Sequence, residues 1–224
     1  MLLQILMDFH WTQLLQPQFY IEHGGLWLIM FVVFAETGLF AGFFLPGDSL
    51  LFVAGIYSSN IANVILPTQN EYIGLLVLIA FISFAGILGN ATGYWFGRKV
   101  GPTMYEWKEN FFFKRRFLIQ AHDFYEKHGG GAIVVARFIP IVRTFAPIVA
   151  GIVDMNRKKF TFYNVIGCIA WVSSMLVGGH FLQKWILAEF DFDLKKHLEV
   201  IVLGIVFITT APVIIKLLFH KPKQ

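Results

Sequence analysis

Four charged side chains interrupt apolar stretches of the chain, and their types suggest anion and proton chemistry. Arg137 and Arg143 lie in one apolar block, and Glu36 and Asp48 lie in another. A guanidinium stays charged at any physiological pH and can hold a phosphate through its planar fork. We therefore predict that Arg137 and Arg143 bind the phosphate of a headgroup that crosses hydrocarbon. The alternative is that they pair with Glu36 and Asp48 and only pin the two blocks together.

The two acidic residues are predicted as proton or cation coupling sites, or as gate partners of the arginines. A carboxyl group that lies in an apolar run and also neighbours an arginine is able to take up and release a proton. Such a group would couple movement of a substrate to the proton gradient. For Glu36 the alternative is a permanent ion pair, and Asp48, which follows Pro46 and Gly47, could simply cap the helix that begins there.

Composition excludes several classes of protein. The chain has 224 residues, of which 57% are hydrophobic and only 14% are charged, whereas a soluble domain carries about 25% charged residues. This excludes a soluble enzyme, a nucleic-acid-binding module and a disordered chain. The single cysteine, Cys168, excludes an internal disulfide framework and a cysteine-based zinc site. We expect no metal and no cofactor.

The apolar sequence falls into blocks that are each long enough to span a membrane, which takes about 20 residues. Two of them are interrupted by the charges named above and by the prolines Pro46, Pro140 and Pro147, which break a helical hydrogen-bond ladder. The blocks cover residues 26–57, 73–97, 132–153, 160–187 and 198–219.

The distribution of basic residues decides which blocks cross. Residues 1–25 and 58–72 contain no Lys or Arg, whereas residues 98–131 and 154–159 are rich in both. The positive-inside rule requires both basic segments to lie in the cytoplasm. They do so only if blocks 26–57 and 132–153 each enter the membrane and return on the same side. We therefore predict two re-entrant hairpins, and we expect Pro46, Gly47, Pro140 and Pro147 either to form their turns or to line a cavity. The other three blocks are predicted to span, with the C-terminus cytoplasmic.

The two predicted hairpins share a short sequence repeat. Phe44-Leu45-Pro46 precedes Val53-Ala54-Gly55, and Phe138-Ile139-Pro140 precedes Val149-Ala150-Gly151. Because the first hairpin enters from outside and the second from inside, this is an inverted repeat, which in many transporters places the site near the bilayer midplane. Asn90, a polar residue within block 73–97, either lines that cavity or makes a hydrogen bond between helices.

The flanking segments complete a predicted all-α, polytopic membrane protein with a single domain, residues 1–224. Residues 1–25 mix apolar and polar side chains as an amphipathic helix at the membrane surface does. Residues 98–131 mix aromatic and basic side chains, which is typical of an amphipathic loop on the anionic cytoplasmic leaflet.

Three motifs resemble those of one membrane protein family. The run E-T-G-L-F-A-G-F-F-L-P-G-D from Glu36 to Asp48 resembles the first signature of the DedA family, also called the SNARE-associated or VTT-domain family. Residues 93–101 resemble the Gly-rich end of its first spanning helix, and residues 137–151 its second signature. The resemblance covers roughly residues 25 to 185 in the family's order.

The resemblance implies a bacterial inner-membrane protein with two facing re-entrant hairpins. Bacterial members are implicated in moving lipids between leaflets, notably undecaprenyl phosphate, with dependence on the proton motive force, and eukaryotic relatives are lipid scramblases. The family's acidic pair corresponds to Glu36 and Asp48, and its arginine pair to Arg137 and Arg143.

We therefore predict a lipid translocase, with membrane lipids and protons or other cations as partners and with no enzymatic activity. The main rival is a proton-coupled exporter or ion transporter of small solutes, which would use the same four charges. A membrane enzyme and a structural or chaperone-like membrane protein are the weaker rivals. The sequence does not indicate an oligomeric state.

Overall fold

The computed structural model describes residues 25–39, 47–67, 70–106, 119–120, 123, 125–127, 129–190 and 194. Within these residues the chain is helical and contains no strand. The helices are α1 (Gly25–Gly38), α2 (Gly47–Ile56), α3 (Ser58–Ile65), α4 (Glu71–Glu106), α5 (Gly131–Ala136), α6 (Pro140–Ile152) and α7 (Arg157–Phe190).

Two of the helices are long and apolar enough to cross a membrane. They are the part of α4 from Glu71 to Thr103 and the whole of α7, with 33 and 34 residues, more than the about 20 that a bilayer requires. These helices contain the predicted spanning blocks 73–97 and 160–187. Helix α4 also continues past residue 97 to Glu106, so the first part of segment 98–131 is helical.

Each block predicted as a re-entrant hairpin holds two helices. Block 26–57 holds α1 and α2, and block 132–153 holds α5 and α6. The break before α6 has a local cause, because Ile139 is extended (φ −112°, ψ 107°) and Pro140 occupies the first turn of the helix. A residue before proline avoids the helical region, whereas proline itself suits a first turn. The re-entrant course and the inverted repeat stay predictions.

The chain divides into two compact units, which are described separately. The described residues of the first unit are 25–29, 47–67, 70–75, 175–190 and 194, and those of the second are 30–39, 76–106, 119–120, 123, 125–127 and 129–174. Helices α1, α4 and α7 contribute residues to both units.

Glycines allow the helices of each unit to approach closely. In the second unit Gly89, Gly93, Gly97 and Gly101 repeat every fourth residue along one face of α4. A Cβ at Gly97 would collide with the Ile148 carbonyl of α6, and one at Gly101 would lie 2.7 Å from the Ile152 carbonyl. In the first unit Gly55 meets the backbone of Leu176 in the same way. Small residues at such spacing are what membrane helices use to pack backbone against backbone.

Several predicted features lie outside the described residues. They are the N-terminal amphipathic helix apart from Gly25, most of the loop 98–131 beyond Glu106, the turn residue Pro46, and the C-terminal block 198–219 with the basic tail.

Candidate functional site: a buried charge cluster in the second unit

The second unit contains a buried ion pair between α6 and α1. The Arg143 guanidinium donates through Nη2 to Oε1 of Glu36. Only 8% of Arg143 and 3% of Glu36 is exposed. The guanidinium carbon of Arg143 also lies 4.8 Å from the centre of the Trp171 ring on α7, a cation–π contact. One predicted arginine and one predicted carboxylate are therefore brought together.

Close packing of α1 against α4 fixes the position of Glu36. A Cβ at Gly38 would lie 2.7 Å from the Gly89 carbonyl oxygen, so this crossing admits no side chain at either glycine. The hydroxyl of Thr37 donates to the Val33 carbonyl at 2.8 Å and stays within its own helix. Glu36 is thus presented from a helix whose distance to α4 is set by backbone contact.

Arg137 is buried beside neutral groups. Its Nη2 donates to Oδ1 of Asn164 on α7 at 2.6 Å, and only 4% of the residue is exposed. The Asn164 amide nitrogen in turn donates to the Ile87 carbonyl at 3.2 Å, which locks the amide with its oxygen towards the guanidinium. Gly167 leaves room for this side chain, since a Cβ there would lie 3.1 Å from Cδ of Arg137.

Asn90 connects Arg137 to the helix that carries Glu36. Nδ2 of Asn90 donates to Oδ1 of Asn164 at 2.8 Å. In the alternative orientation of the amide, the Asn90 oxygen accepts from the Arg137 guanidinium and the nitrogen donates to the Thr37 carbonyl at 3.2 Å. Thr37 is the residue next to Glu36. The predicted Asn90 therefore lies in the same cluster as both arginines, making hydrogen bonds between helices.

The two arginines differ in how their charge is compensated. Arg143 has a carboxylate partner, whereas no carboxylate among the described residues forms an ion pair with Arg137. An ion without a counter-ion costs several kcal/mol to bury, about 3 to 5 kcal/mol when a partner is removed from a buried pair. Arg137 therefore carries a buried charge that no described carboxylate compensates.

The remaining predicted site residues divide between the two units. Pro140 begins α6, and Pro147 is buried within it, both in the second unit. Gly47 and Asp48 begin α2 in the first unit, where Asp48 lies in the first helical turn. A carboxylate at that position is favoured by the helix dipole. A role for Asp48 in coupling or as a gate stays a prediction.

Two residues of the cluster, Asn164 and Trp171, were not predicted from the sequence. The criterion that singled out Asn90, a polar residue within an apolar block, also applies to Asn164 in block 160–187. No comparable signal exists for Trp171, because an aromatic residue in a membrane helix is usually a packing residue or an interfacial anchor.

A second polar group lies in the first unit around His180. Its Nδ1 lies 2.8 Å from the Ser58 hydroxyl oxygen, and its Nε2 lies 3.8 Å from a carboxylate oxygen of Glu71. Glu71 also accepts a hydrogen bond from Lys184. The Lys184 ammonium lies 5.6 Å from the centre of the Tyr72 ring. This group ties the start of α4 to the end of α7.

Tyr125 supports α6 from outside the membrane-spanning helices. Its hydroxyl donates to the Ala146 carbonyl at 3.1 Å. Burial disfavours the phenolate and raises the pKa of Tyr125 to about 12. The hydroxyl therefore remains a donor to α6 at physiological pH.

Comparison with known proteins places this cluster in a recognised domain. Residues 24–181 match the VTT domain. Protein DedA of Escherichia coli K12 is 38% identical over 200 residues, which cover 88% of this chain and 85% of that protein. An uncharacterized membrane protein of Mycobacterium tuberculosis H37Rv is 35% identical over 84% of this chain and 76% of its own. Inner membrane protein YqjA of Escherichia coli K12 is 32% identical over 72% of this chain and 69% of that protein. No solved structure matches the chain.

Proposed function

The chain belongs to the DedA family of VTT-domain membrane proteins, and we propose that it moves a phosphate-bearing lipid between the leaflets of the bacterial inner membrane. The lipid we favour is undecaprenyl phosphate or another phospholipid. In this proposal the protein is a multi-pass translocase that makes and breaks no covalent bond. An inner-membrane location is supported by the name of the relative YqjA.

The observation that carries the proposal is the state of Arg137. Its guanidinium is buried, is bonded to the Asn164 amide, and pairs with no carboxylate among the described residues. A lipid phosphate would supply the missing negative charge through a charge-assisted, bidentate contact. The lipid tail would remain in the bilayer while the headgroup passes the cluster.

Arg143 and Glu36 supply the second element of the mechanism. A phosphate held by Arg137 would compete with Glu36 for Arg143, and a displaced Glu36 would take up a proton to avoid a buried, unpaired charge. Release of the lipid would restore the ion pair and release the proton. This cycle couples lipid movement to the proton gradient, with Glu36 as the coupling group and Asp48 as a second acidic site.

The proposal is tested by reconstituting the protein into proteoliposomes that contain a fluorescent phospholipid or polyprenyl phosphate. Leaflet exchange is read from the fraction of fluorophore that a membrane-impermeant reductant quenches. We expect exchange by the wild type and loss of exchange in Arg137→Gln. The matched control, Lys158→Gln, removes an exposed cation of the same unit and should leave exchange unchanged.

Two outcomes would redirect the proposal. Exchange that ignores an imposed pH gradient would remove the coupling role of Glu36 and make the protein a scramblase. Transport of a small ion or drug by well-folded protein that moves no lipid would establish the rival, a proton-coupled exporter that uses the same charges.

A further inference from the structure

A separate cleft lies between α4 and α7 in the second unit, towards the end of α4 and the start of α7. Its volume is about 310 Å³, and its lining residues are Ala91, Tyr94, Trp95, Arg98, Arg157, Phe160 and Thr161. The floor is apolar and well packed, because the Tyr94 and Phe160 rings stack with their centres 4.3 Å apart. The polar groups of these residues are the guanidinium groups of Arg98 and Arg157 and the hydroxyls of Thr161 and Tyr94, and the Tyr94 hydroxyl donates to the Met155 carbonyl.

The charge of the cleft is positive and only partly compensated. Arg98 pairs with Asp154 at 2.8 Å, and both side chains are at least half exposed. Arg157 forms no ion pair with any residue that the structure describes. Lys99 does not line the cleft, but its ammonium lies 5.3 Å from the centre of the Trp95 ring, which does.

The position of the cleft favours a lipid over a soluble anion. Its cations belong to the two basic segments, 98–131 and 154–159, which the positive-inside rule assigns to the cytoplasm. Trp95 is 61% exposed and lies three residues before Arg98 on a helix long enough to span the membrane. Tryptophan is enriched where membrane helices meet lipid headgroups. Basic pockets between membrane helices on the cytoplasmic side are recognised sites for anionic headgroups.

We propose that this cleft binds the phosphate of an anionic phospholipid from the cytoplasmic leaflet. Arg157 and Arg98 would donate to the phosphate oxygens and Thr161 would add a hydroxyl donor, while Trp95 would contact the glycerol and upper acyl chain. The site is distinct from the buried Arg137 cluster. It requires no lipid movement, so it goes beyond the proposed translocation.

The test measures retention of phosphatidylglycerol by purified protein, using native mass spectrometry across a lipid titration. Arg157→Gln removes the uncompensated cation and should weaken retention about tenfold, as expected for the loss of a hydrogen bond to a charged group. The matched control, Lys158→Gln, removes the neighbouring cation, which does not line the cleft, and should retain the lipid like the wild type.

A second variant is expected to strengthen binding. Asp154→Asn removes the carboxylate that competes for Arg98, and asparagine tolerates the left-handed backbone at this position, where φ is 52°. Tighter retention of phosphatidylglycerol by this variant supports the site even where Arg157→Gln folds poorly.

The possible results separate cleanly. Equal loss of phosphatidylglycerol retention in Arg157→Gln and Lys158→Gln would show that only diffuse surface charge attracts the lipid, and it would overturn the proposal. Unchanged retention in both Arg157→Gln and Asp154→Asn would also overturn it. Inorganic phosphate that displaces phosphatidylglycerol at millimolar concentration would assign the cleft to a free oxyanion and overturn the lipid assignment. If Arg137→Gln abolishes leaflet exchange while retention at the cleft is unchanged, the two sites are independent.

Discussion

Removing either partner of the buried Arg143–Glu36 pair should destabilise the protein far more than removing an exposed pair. With 8% and 3% of the side chains exposed, water can neither solvate nor screen the charge that is left behind. Loss of one partner of such a pair costs about 3 to 5 kcal/mol. Arg143→Gln also removes the cation–π contact with Trp171, which adds about 0.5 to 2 kcal/mol.

The same unit offers a matched control for this expectation. Arg98 and Asp154 form an ion pair of ordinary length, but their side chains are 50% and 68% exposed. Exposed pairs contribute about 0 to 1 kcal/mol because water solvates and screens both charges. Arg98→Gln and Asp154→Asn should therefore each change the free energy of unfolding by about 1 kcal/mol or less.

The assay is a pair of double-mutant cycles on the free energy of unfolding, measured by titrating SDS into mixed micelles and following tryptophan fluorescence. Glu36→Gln, Arg143→Gln and the double variant form the first cycle, and the Arg98 and Asp154 variants form the second. We expect a coupling energy of at least about 2 kcal/mol in the first cycle, near the upper end for contacting residues. A coupling energy no larger than that of the exposed pair would refute the reasoning from burial.

Three further predictions concern the packing around the cluster. Gly97→Ala forces a Cβ into the Ile148 carbonyl and should destabilise the protein by about 1 to 3 kcal/mol or more. Gly131 has open space around it, so Gly131→Ala should stabilise the protein by about 0.5 to 1 kcal/mol in the same SDS titration. Asn164→Asp gives Arg137 a carboxylate partner, with loss of the hydrogen bond from the Asn164 amide to the Ile87 carbonyl, so the folded variant should move no lipid. Exchange at the wild-type rate would contradict the assignment of Arg137 to the lipid phosphate. The raised pKa of Tyr125, about 12 against about 10 in the unfolded chain, gives stability that is complete below pH about 10 and is lost as the pH rises towards 12. Tyr125→Phe should remove the loss of stability between about pH 10 and 12 that Tyr125 causes. If the wild type and the variant show the same dependence of thermal midpoint on pH, this role of Tyr125 is contradicted.

The helical architecture follows directly from features that the sequence displays. The long apolar runs in α4 and α7 predict membrane-spanning helices, because an apolar run of about 20 residues or more is what a helix needs to cross the hydrocarbon core. The break in the helix at Pro140 is also predictable from the sequence, because proline restricts its own backbone dihedral angles and those of the preceding residue, Ile139. Burial of Arg137, Arg143 and Glu36 is also expected, because charged residues within membrane segments face the protein interior.

The pairing within the cluster could not be predicted from the sequence. Both arginines had the same two candidate partners, and only the packing of α1, α6 and α7 decides that Arg143 meets Glu36 while Arg137 meets Asn164. Pairing between distant segments depends on three-dimensional approach distances, which at the Gly38–Gly89 crossing are set by backbone contact. Local sequence patterns carry little information about such distances.

The cleft at Arg157 illustrates the same limit on the surface. The sequence shows that segments 98–131 and 154–159 are basic, and it suggests an anionic leaflet as their surroundings. Arg98 pairs with Asp154 while Arg157 pairs with no described carboxylate, and this depends on how the turn at Asp154 approaches α4, which the sequence does not specify.

The measurement that tests the central proposal most directly compares two lipids in the same proteoliposomes. One is a fluorescent phospholipid, and the other is a fluorescent neutral glycolipid with the same acyl chains and no phosphate. If Arg137 acts by compensating the phosphate charge, the protein exchanges the phospholipid between leaflets and leaves the glycolipid at the rate of protein-free vesicles. Equal acceleration of both lipids would show that the phosphate is not recognised and would contradict the proposed role of the buried arginines.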